Sequence, residues 1–381
     1  MIAQNRTIPQ DCTKSEESMK RLVFVTDVHL TEGLESRERF ARDLEEIWRL
    51  NPKPDLLVFG GDVCLWSEEA TGVFLELLHG FPIPLMHVMG NHDTTLDVPD
   101  EECRRDFEKW LGPANSCHRL GEAHVIGLNS CAMDPAYLYS RDWHNVLGWV
   151  PDGDLEWLEQ TLARIEDREA PLFLFVHIPF FSTYPDRLDA GQGERDVWLI
   201  GNRERVVELL KPFANCTVGQ GHLHENEHLY VEGIHFVSVG AIAGAWWSRQ
   251  GFAECPDGSP RGYLVADIEE RRVELNYRGT GCSPKYQACI FQKESRRYLN
   301  IFFGDAGEPV YLKIDDGWLS LQRSEGLIMR ERWTSAHLWE MPEMGAEREV
   351  TIRTTLGGRE LLIEGVPFIE DYMQNETDRT I

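Results

Sequence analysis

Asp27 and His29 stand two residues apart where an apolar run, Val23-Phe24-Val25, gives out. β-Branched and aromatic residues in such a run predict a covered strand, and side chains at i and i+2 of a strand point the same way. A carboxylate and an imidazole therefore leave the strand together. The same kind of ending recurs down the chain. Asp62 follows two glycines in FGGD, and Asn91, His92 and Asp93 close VMGNHD. His177 sits in FVHIP, and His222 and His224 repeat the i, i+2 spacing in GQGHLH. One such residue at one strand end is ordinary turn chemistry. Five such ends in one chain are not. Imidazole, carboxylate and amide oxygen without thiolate suit divalent ions such as Mn²⁺, Fe²⁺ or Zn²⁺. Asp27, His29, Asp62, Asn91, His177, His222 and His224 are too many donors for one catalytic ion, which keeps about three or four protein ligands. Two ions sharing one carboxylate would use them.

The elements that must bring these ends together form a regular alternation. Periodicity predicts strands at 22–27, 56–60, 84–89, 123–129, 172–177 and 217–222. Between them it predicts helices at 36–50, 67–79, 100–111, 154–165 and 202–210, the first with Phe40, Leu44, Ile47 and Trp48 on one face. This alternation predicts an α/β domain with mostly parallel strands, whose ligands gather at the strands' carboxyl ends. From HLYVEG onward only strands follow, to about residue 277, and GTGCSP at 279–284 reads as a linker. QACIFQ, YLNIFF, PVYLKID, WLSLQ, EVTIRTT and RELLIEG then predict a C-terminal all-β, sandwich-like domain. The division expected is a disordered leader at 1–20 (with Met19 as an alternative start), an α/β domain at 21–278, a β-domain at 285–368 and a polar tail at 369–381. All the donors precede residue 225, so the β-domain is expected to be separable from the site.

Composition narrows the partners. With 38 Lys and Arg against 64 Asp and Glu in 381 residues, the net charge of −26 argues against nucleic-acid polymers and anionic membranes. A small anionic substrate stays open, because a bound metal reverses the field locally. Nine scattered cysteines without a C-x-x-C pair fit reduced thiols. No apolar leader and no run of 18 apolar residues is visible, so a cytoplasmic protein without a membrane span is expected.

In their order, DVH, GD, GNHD, a lone His and GHLH resemble the motif set of the calcineurin-like metallophosphoesterases, over about residues 21–277. The resemblance implies a four-layer αββα sandwich and two divalent metal ions, Mn, Fe or Zn. It implies that Asp27, His29 and His224 hold one ion, that Asn91, His177 and His222 hold the other, and that Asp62 bridges them. His92 is then left as a catalytic group, with Asp93 as the partner that orients it. The Asp ending GNHD leans toward the branch resembling cyclic-nucleotide and glycerophosphodiester phosphodiesterases, so the implied substrate is a small phosphodiester. A phosphomonoesterase or protein phosphatase is the alternative of like chemistry, and a non-catalytic scaffold the alternative of another class. VGAIAGAWWSRQG, DGSPRGYLV and the series YQACIF, LNIFF, SAHLW resemble bacterial members with an appended C-terminal β-domain. Tyr139, Arg141 and His144, in the long loop 131–149, are candidate contacts for a substrate phosphate, and Trp246 and Trp247 for a base or sugar. Ordinary loop and packing roles are the alternatives there. His87, His118, His124, His235 and His337 read as structural, and Glu225 and Glu227 as a solvated turn.

Overall fold

Lys20–Val25 is the strand around which the rest is laid. It pairs parallel with Leu56–Phe59 and antiparallel with Gly262–Glu269. Leu85–His87 and Arg272–Gly279 extend the sheet on either side to five strands. The structure, a computed structural model, describes residues 19–64, 67–96, 98–133, 146–245, 254–329, 333–343, 350–356 and 359–370. Strand alternation sends Val23 and Val25 to one face and Leu22 and Phe24 to the other. On the first face, Val23, Val25, Leu57 and Phe59 pack against Phe40, Leu44 and Phe74 of the helices Leu34–Trp48 and Glu68–Leu78. On the second, Leu22, Phe24 and Val58 meet Val125, Phe173 and Phe175 of another sheet. The Phe24 and Phe175 rings stack across the gap with centroids 4.6 Å apart.

That second sheet has the order Glu227–Val231, Ile234–Ser238, Cys216–Gln220, Leu172–Val176, Ala123–Gly127, Ser116–Leu120, parallel in its centre and antiparallel at both edges. Its outer face, with Ile126, Leu174, Val176 and Val218, is covered by the helices Asp152–Ala163 and Arg203–Leu210. Helix, sheet, sheet and helix are the four layers the motifs imply. Ser116–Leu120 escapes sequence reading because SCHRL carries almost no apolar alternation. The expected helix at 100–111 is a 3₁₀ turn, Asp100–Glu102, followed by Arg105–Trp110. The Cys103 carbonyl that a continuous helix would use is taken by the Thr95 N–H at 2.6 Å. Among the described residues, no helix is long and apolar enough to cross a membrane.

Beyond residue 284 two more sheets face each other. Their orders are Gln322–Arg323, Leu338–Met341, Arg296–Ile301, Ala288–Lys293, Phe368–Ile369 and Gly317–Ser320, Tyr311–Ile314, Ile352–Leu356, Arg359–Ile363. Ile290, Leu299, Leu312, Trp339 and Ile352 fill the space between them. The alternate residues Cys289, Phe291, Tyr298 and Leu338 turn the other way. They join Tyr277, Phe302 and Phe303 in the same apolar cluster that lies between the first two sheets. The donors end before residue 225, and the core behind them continues into the C-terminal sheets. A chain ending at residue 280 would expose Tyr277 and Leu275, each side chain worth about 1.5–3 kcal/mol when buried. It should melt at a lower temperature than the full chain, or aggregate. A melting midpoint equal to the full chain's would show that the shared core contributes nothing.

Candidate metal centre

The loops after these strands hold an unusual backbone. Asp27, His29, Asp62, His222 and His224 all have positive φ, at 54°, 44°, 53°, 72° and 57°. The left-handed region costs a residue with a Cβ about 1 kcal/mol or more. Of the five other non-glycine residues that adopt it among the described residues, Glu232, Glu270, Glu294 and Asp315 lie in two-residue hairpin turns, which require that conformation. No hairpin requires it at the strand ends. There it is held by a ladder of main-chain bonds, from Asp27 N–H to Gly61 O (3.1 Å), His29 N–H to Asp62 O (2.9 Å) and Ile242 N–H to Thr26 O (3.1 Å). Two glycines let the loops close on one another. A Cβ on Gly61, at φ 97°, would sit 2.5 Å from His177 Nδ1, and one on Gly90 would overlap the Asp62 carboxylate.

The side chains so turned converge. Asp27 Oδ1 lies 3.2 Å from His224 Nε2 and 3.8 Å from His29 Nε2. His29 Nε2 and His224 Nε2 are themselves 3.0 Å apart. His224 Nδ1 donates to Gly244 O at 2.8 Å, so in the neutral ring the Nε2 lone pair faces His29. Opposite them, His177 donates from Nδ1 to Gly60 O (2.8 Å) and brings Nε2 to 3.0 Å from Asn91 Oδ1 and 3.2 Å from Asp62 Oδ2. His222 donates from Nε2 to Val197 O at 3.1 Å, which leaves Nδ1 for the centre. Asp62 Oδ2 stands between the two groups, 3.8 Å from both His29 Nε2 and His92 Nε2. Thr26 Oγ1 and the His222 N–H fix the other Asp27 oxygen, at 2.7 and 3.0 Å.

Electrostatics fit these donors to cations. Asp27 and Asp62 are buried, and their described ion-pair partners are all histidines. Asp27 Oδ1 accepts no hydrogen bond among the described residues. Burial alone would raise both carboxyls, but His224 and His177 beside Asp27, and His177 and His92 beside Asp62, hold them well below the usual range. Burial pushes His29 and His222 down to about 3 and His92 down to about 4. For His177 burial is outweighed by Asp62 and Asp27, which lift it to about 9. Burial thus works against charge on His29, His92 and His222 beside two ionised carboxylates, a mixture of donors that can take up positive charge between them. The triads Asp27, His29, His224 and Asp62, His177, His222 each bring their ligand atoms within 4.8 Å, as does His29, Asp62, His92. The donor set fits divalent ions.

Asp93 turns its carboxylate to the main chain, where both oxygens accept from N–H groups. Oδ2 takes Asp62 (2.7 Å) and Gly90 (2.9 Å), and Oδ1 takes Val63 (3.0 Å) and Cys64 (3.5 Å). Asp93 is the pin that joins the GGD and GNHD loops, while the His92 N–H donates to Asp62 Oδ1 at 2.8 Å. Glu225 and Glu227 are corrected: both are buried rather than solvated. Arg187 pairs with Glu225, and Ser182 Oγ donates to Glu227 at 2.6 Å. Their partners sit on and just before the short helix Tyr184–Arg187, which the sequence pattern does not reveal. Tyr139, Arg141, His144, Trp246 and Trp247 lie outside the described residues.

A family model described as calcineurin-like phosphoesterase matches residues 20–226, and one described as the C terminal of calcineurin-like phosphoesterase matches 237–356. A probable glycerophosphodiester phosphodiesterase of Arcobacter nitrofigilis is 28% identical over 182 residues, 46% of this chain and 58% of that protein. The chain therefore spans under two thirds of that relative's length. A probable cyclic nucleotide phosphodiesterase of Rhodopseudomonas palustris is 24% identical over 71% of this chain and 95% of its own. The crystal structure of a dimetal phosphatase from Danio rerio shares the fold at a TM-score of 0.50 and 13% identity, covering 68% of this chain and 96% of that one.

The pin makes a direct prediction. Asp93→Asn would turn an amide NH₂ toward N–H donors, a loss of about 1–3 kcal/mol in a buried site. Urea denaturation should show that loss, and titration should show weaker Mn²⁺ uptake. A variant with native stability and native uptake would remove Asp93 from the architecture of the site.

Proposed function

The chain belongs to the calcineurin-like phosphoesterase family, and from that premise we propose that it hydrolyses small phosphodiesters, of the glycerophosphodiester or cyclic-nucleotide type, at a pair of divalent ions. The observation that carries this reading is the convergence of Asp27, His29, Asp62, Asn91, His177 and His224 through atoms 3.0–3.8 Å apart, where among the described residues the ion-pair partners of the carboxylates are histidines. Asp27, His29 and His224 would hold one ion, Asn91, His177 and His222 the other, and Asp62 both. Such ions supply the charge that clamps phosphoryl oxygens and makes water a usable nucleophile near neutral pH.

The chain's own residues do the rest. Main-chain acceptors at Gly60, Gly244 and Val197 each hold one ring nitrogen of His177, His224 and His222, so that the other ring nitrogen faces the centre and could bind an ion once it carries no proton. His92 reaches the same face of Asp62 at 3.8 Å. Burial keeps His92 neutral in the free chain, and an anionic phosphate beside it would favour the protonated form. The imidazolium can then give its proton to the departing oxygen. A cavity of about 260 Å³ adjoins His92, with Ser67, Glu68, Thr94, Asp106 and Trp110 in its wall. Its acidic wall suits a neutral or cationic alcohol better than a second phosphate.

Two measurements test this. Mn²⁺-loaded protein should turn over glycerophosphodiesters or cyclic nucleotides with a higher kcat/KM than phosphomonoesters, and the opposite ranking would refute the diester reading. His92→Ala should keep its metals and lose about 10²–10⁴-fold in rate on alkoxide leaving groups, with a much smaller loss on nitrophenolate. An equal loss on both, or a missing ion, would make His92 a charge stabiliser or a ligand.

A further inference from the structure

The C-terminal sheets reach the metal-ligand loop through a buried polar chain. Asp257, Asn226, Asn300 and His337 are all completely buried. Asp257 Oδ2 accepts the Asn226 N–H at 2.7 Å and lies 3.0 Å from His337 Nε2. His337 Nδ1 is 2.7 Å from Asn300 Oδ1, and Asn300 Nδ2 donates back to Asp257 O at 2.9 Å. Asn226 in turn takes the Gly240 N–H on its Oδ1, at 2.9 Å. A second link runs from the same segment. Thr334 Oγ1 accepts from Arg187 Nη1 at 2.7 Å, and the other end of that guanidinium pairs with the buried Glu225. Glu225 and Asn226 are the two residues that follow His224, whose φ of 57° is one of the strained angles of the site.

Packing alone does not explain this placement. The apolar interface through Phe291, Tyr298 and Leu338 already joins the two parts. Polar groups cost free energy to bury unless every one is paired, and these run to one short segment beside a candidate ligand. We propose that His337 with Asn300, acting through Asp257 and Asn226, and Thr334, acting through Arg187 and Glu225, are positioning residues that hold His224 against its ion. The β-domain is thereby part of the metal centre, although among the described residues it supplies no candidate ligand. This rests on the metal-centre reading given above.

Metal binding to the full chain, followed by Mn²⁺ titration without substrate, separates the two claims. His337→Ala should weaken one of two binding events by about 10–100-fold, the usual effect of losing an outer partner of a ligand, and leave the other within about threefold. At limiting Mn²⁺ its kcat should fall with KM unchanged, and excess Mn²⁺ should restore it. His337→Gln, which keeps an N–H for Asp257, should recover part of the affinity. Phe291→Leu, which loosens the apolar interface only, should lower the melting midpoint with both affinities intact. If His337→Ala fails to fold, Thr334→Val carries the test, with a loss of about threefold or more expected. Native affinity in the folded variants, or a loss no larger than that of Phe291→Leu, would overturn the positioning role while the metal reading stands. A native chain that takes up no divalent ion would overturn both.

Discussion

Two carboxylates, Asp27 and Asp62, are buried, and among the described residues their ion-pair partners are all imidazoles. An ion taken out of water costs several kcal/mol unless strong partners replace the lost hydration. His177, the Thr26 hydroxyl and the His222 and His92 N–H groups answer part of that cost, while burial works against charge on His29, His92 and His222 in the same space. The rest of the architecture serves to keep this unfavourable assembly together. Five left-handed residues aim the side chains inward, and the ladder from Asp27 and His29 to Gly61 and Asp62 holds two strand ends in register. Asp93 spends its whole carboxylate on the main chain of the neighbouring loops.

Such a site needs a stiff support, and the layers provide it. Both sheets are covered on both faces, so the strands end at fixed points, with Phe24 and Phe175 closing the gap behind them. The donors come from five separate strand ends and meet only because the two sheets face each other. The C-terminal sheets extend the same apolar cluster and add a polar chain that ends beside His224.

Much of this is legible in the sequence. Carboxylate, amide and imidazole at the ends of apolar runs mark Asp27, His29, Asp62, Asn91, His177, His222 and His224 without any coordinates, because strand periodicity and the donor chemistry are local properties. What stays hidden depends on distant partners. Asp93 reads as a companion of its neighbour His92, yet its bonds run to residues about thirty positions earlier. Glu225 and Glu227 look like a solvated turn until Arg187, Ser182 and Thr183 are folded against them. His337 reads as a structural histidine, and nothing in its neighbourhood of the chain points to Asp257, eighty residues away. The linker at 279–284 is visible in the sequence, but the packing of Phe291, Tyr298 and Leu338 is not, because their alternation shows two faces without saying what each one covers.

The central claim is that buried carboxylates and histidines form a cage for two dications. It is tested most directly by elemental analysis of native full-length protein, stripped with chelator, reloaded with Mn²⁺ and freed of unbound metal. The cage described here predicts about two ions per chain, with a higher melting temperature in the loaded form because ligands that bind only the folded state stabilise it. A folded chain that retains no ion, or melts at the same temperature with and without metal, would contradict it.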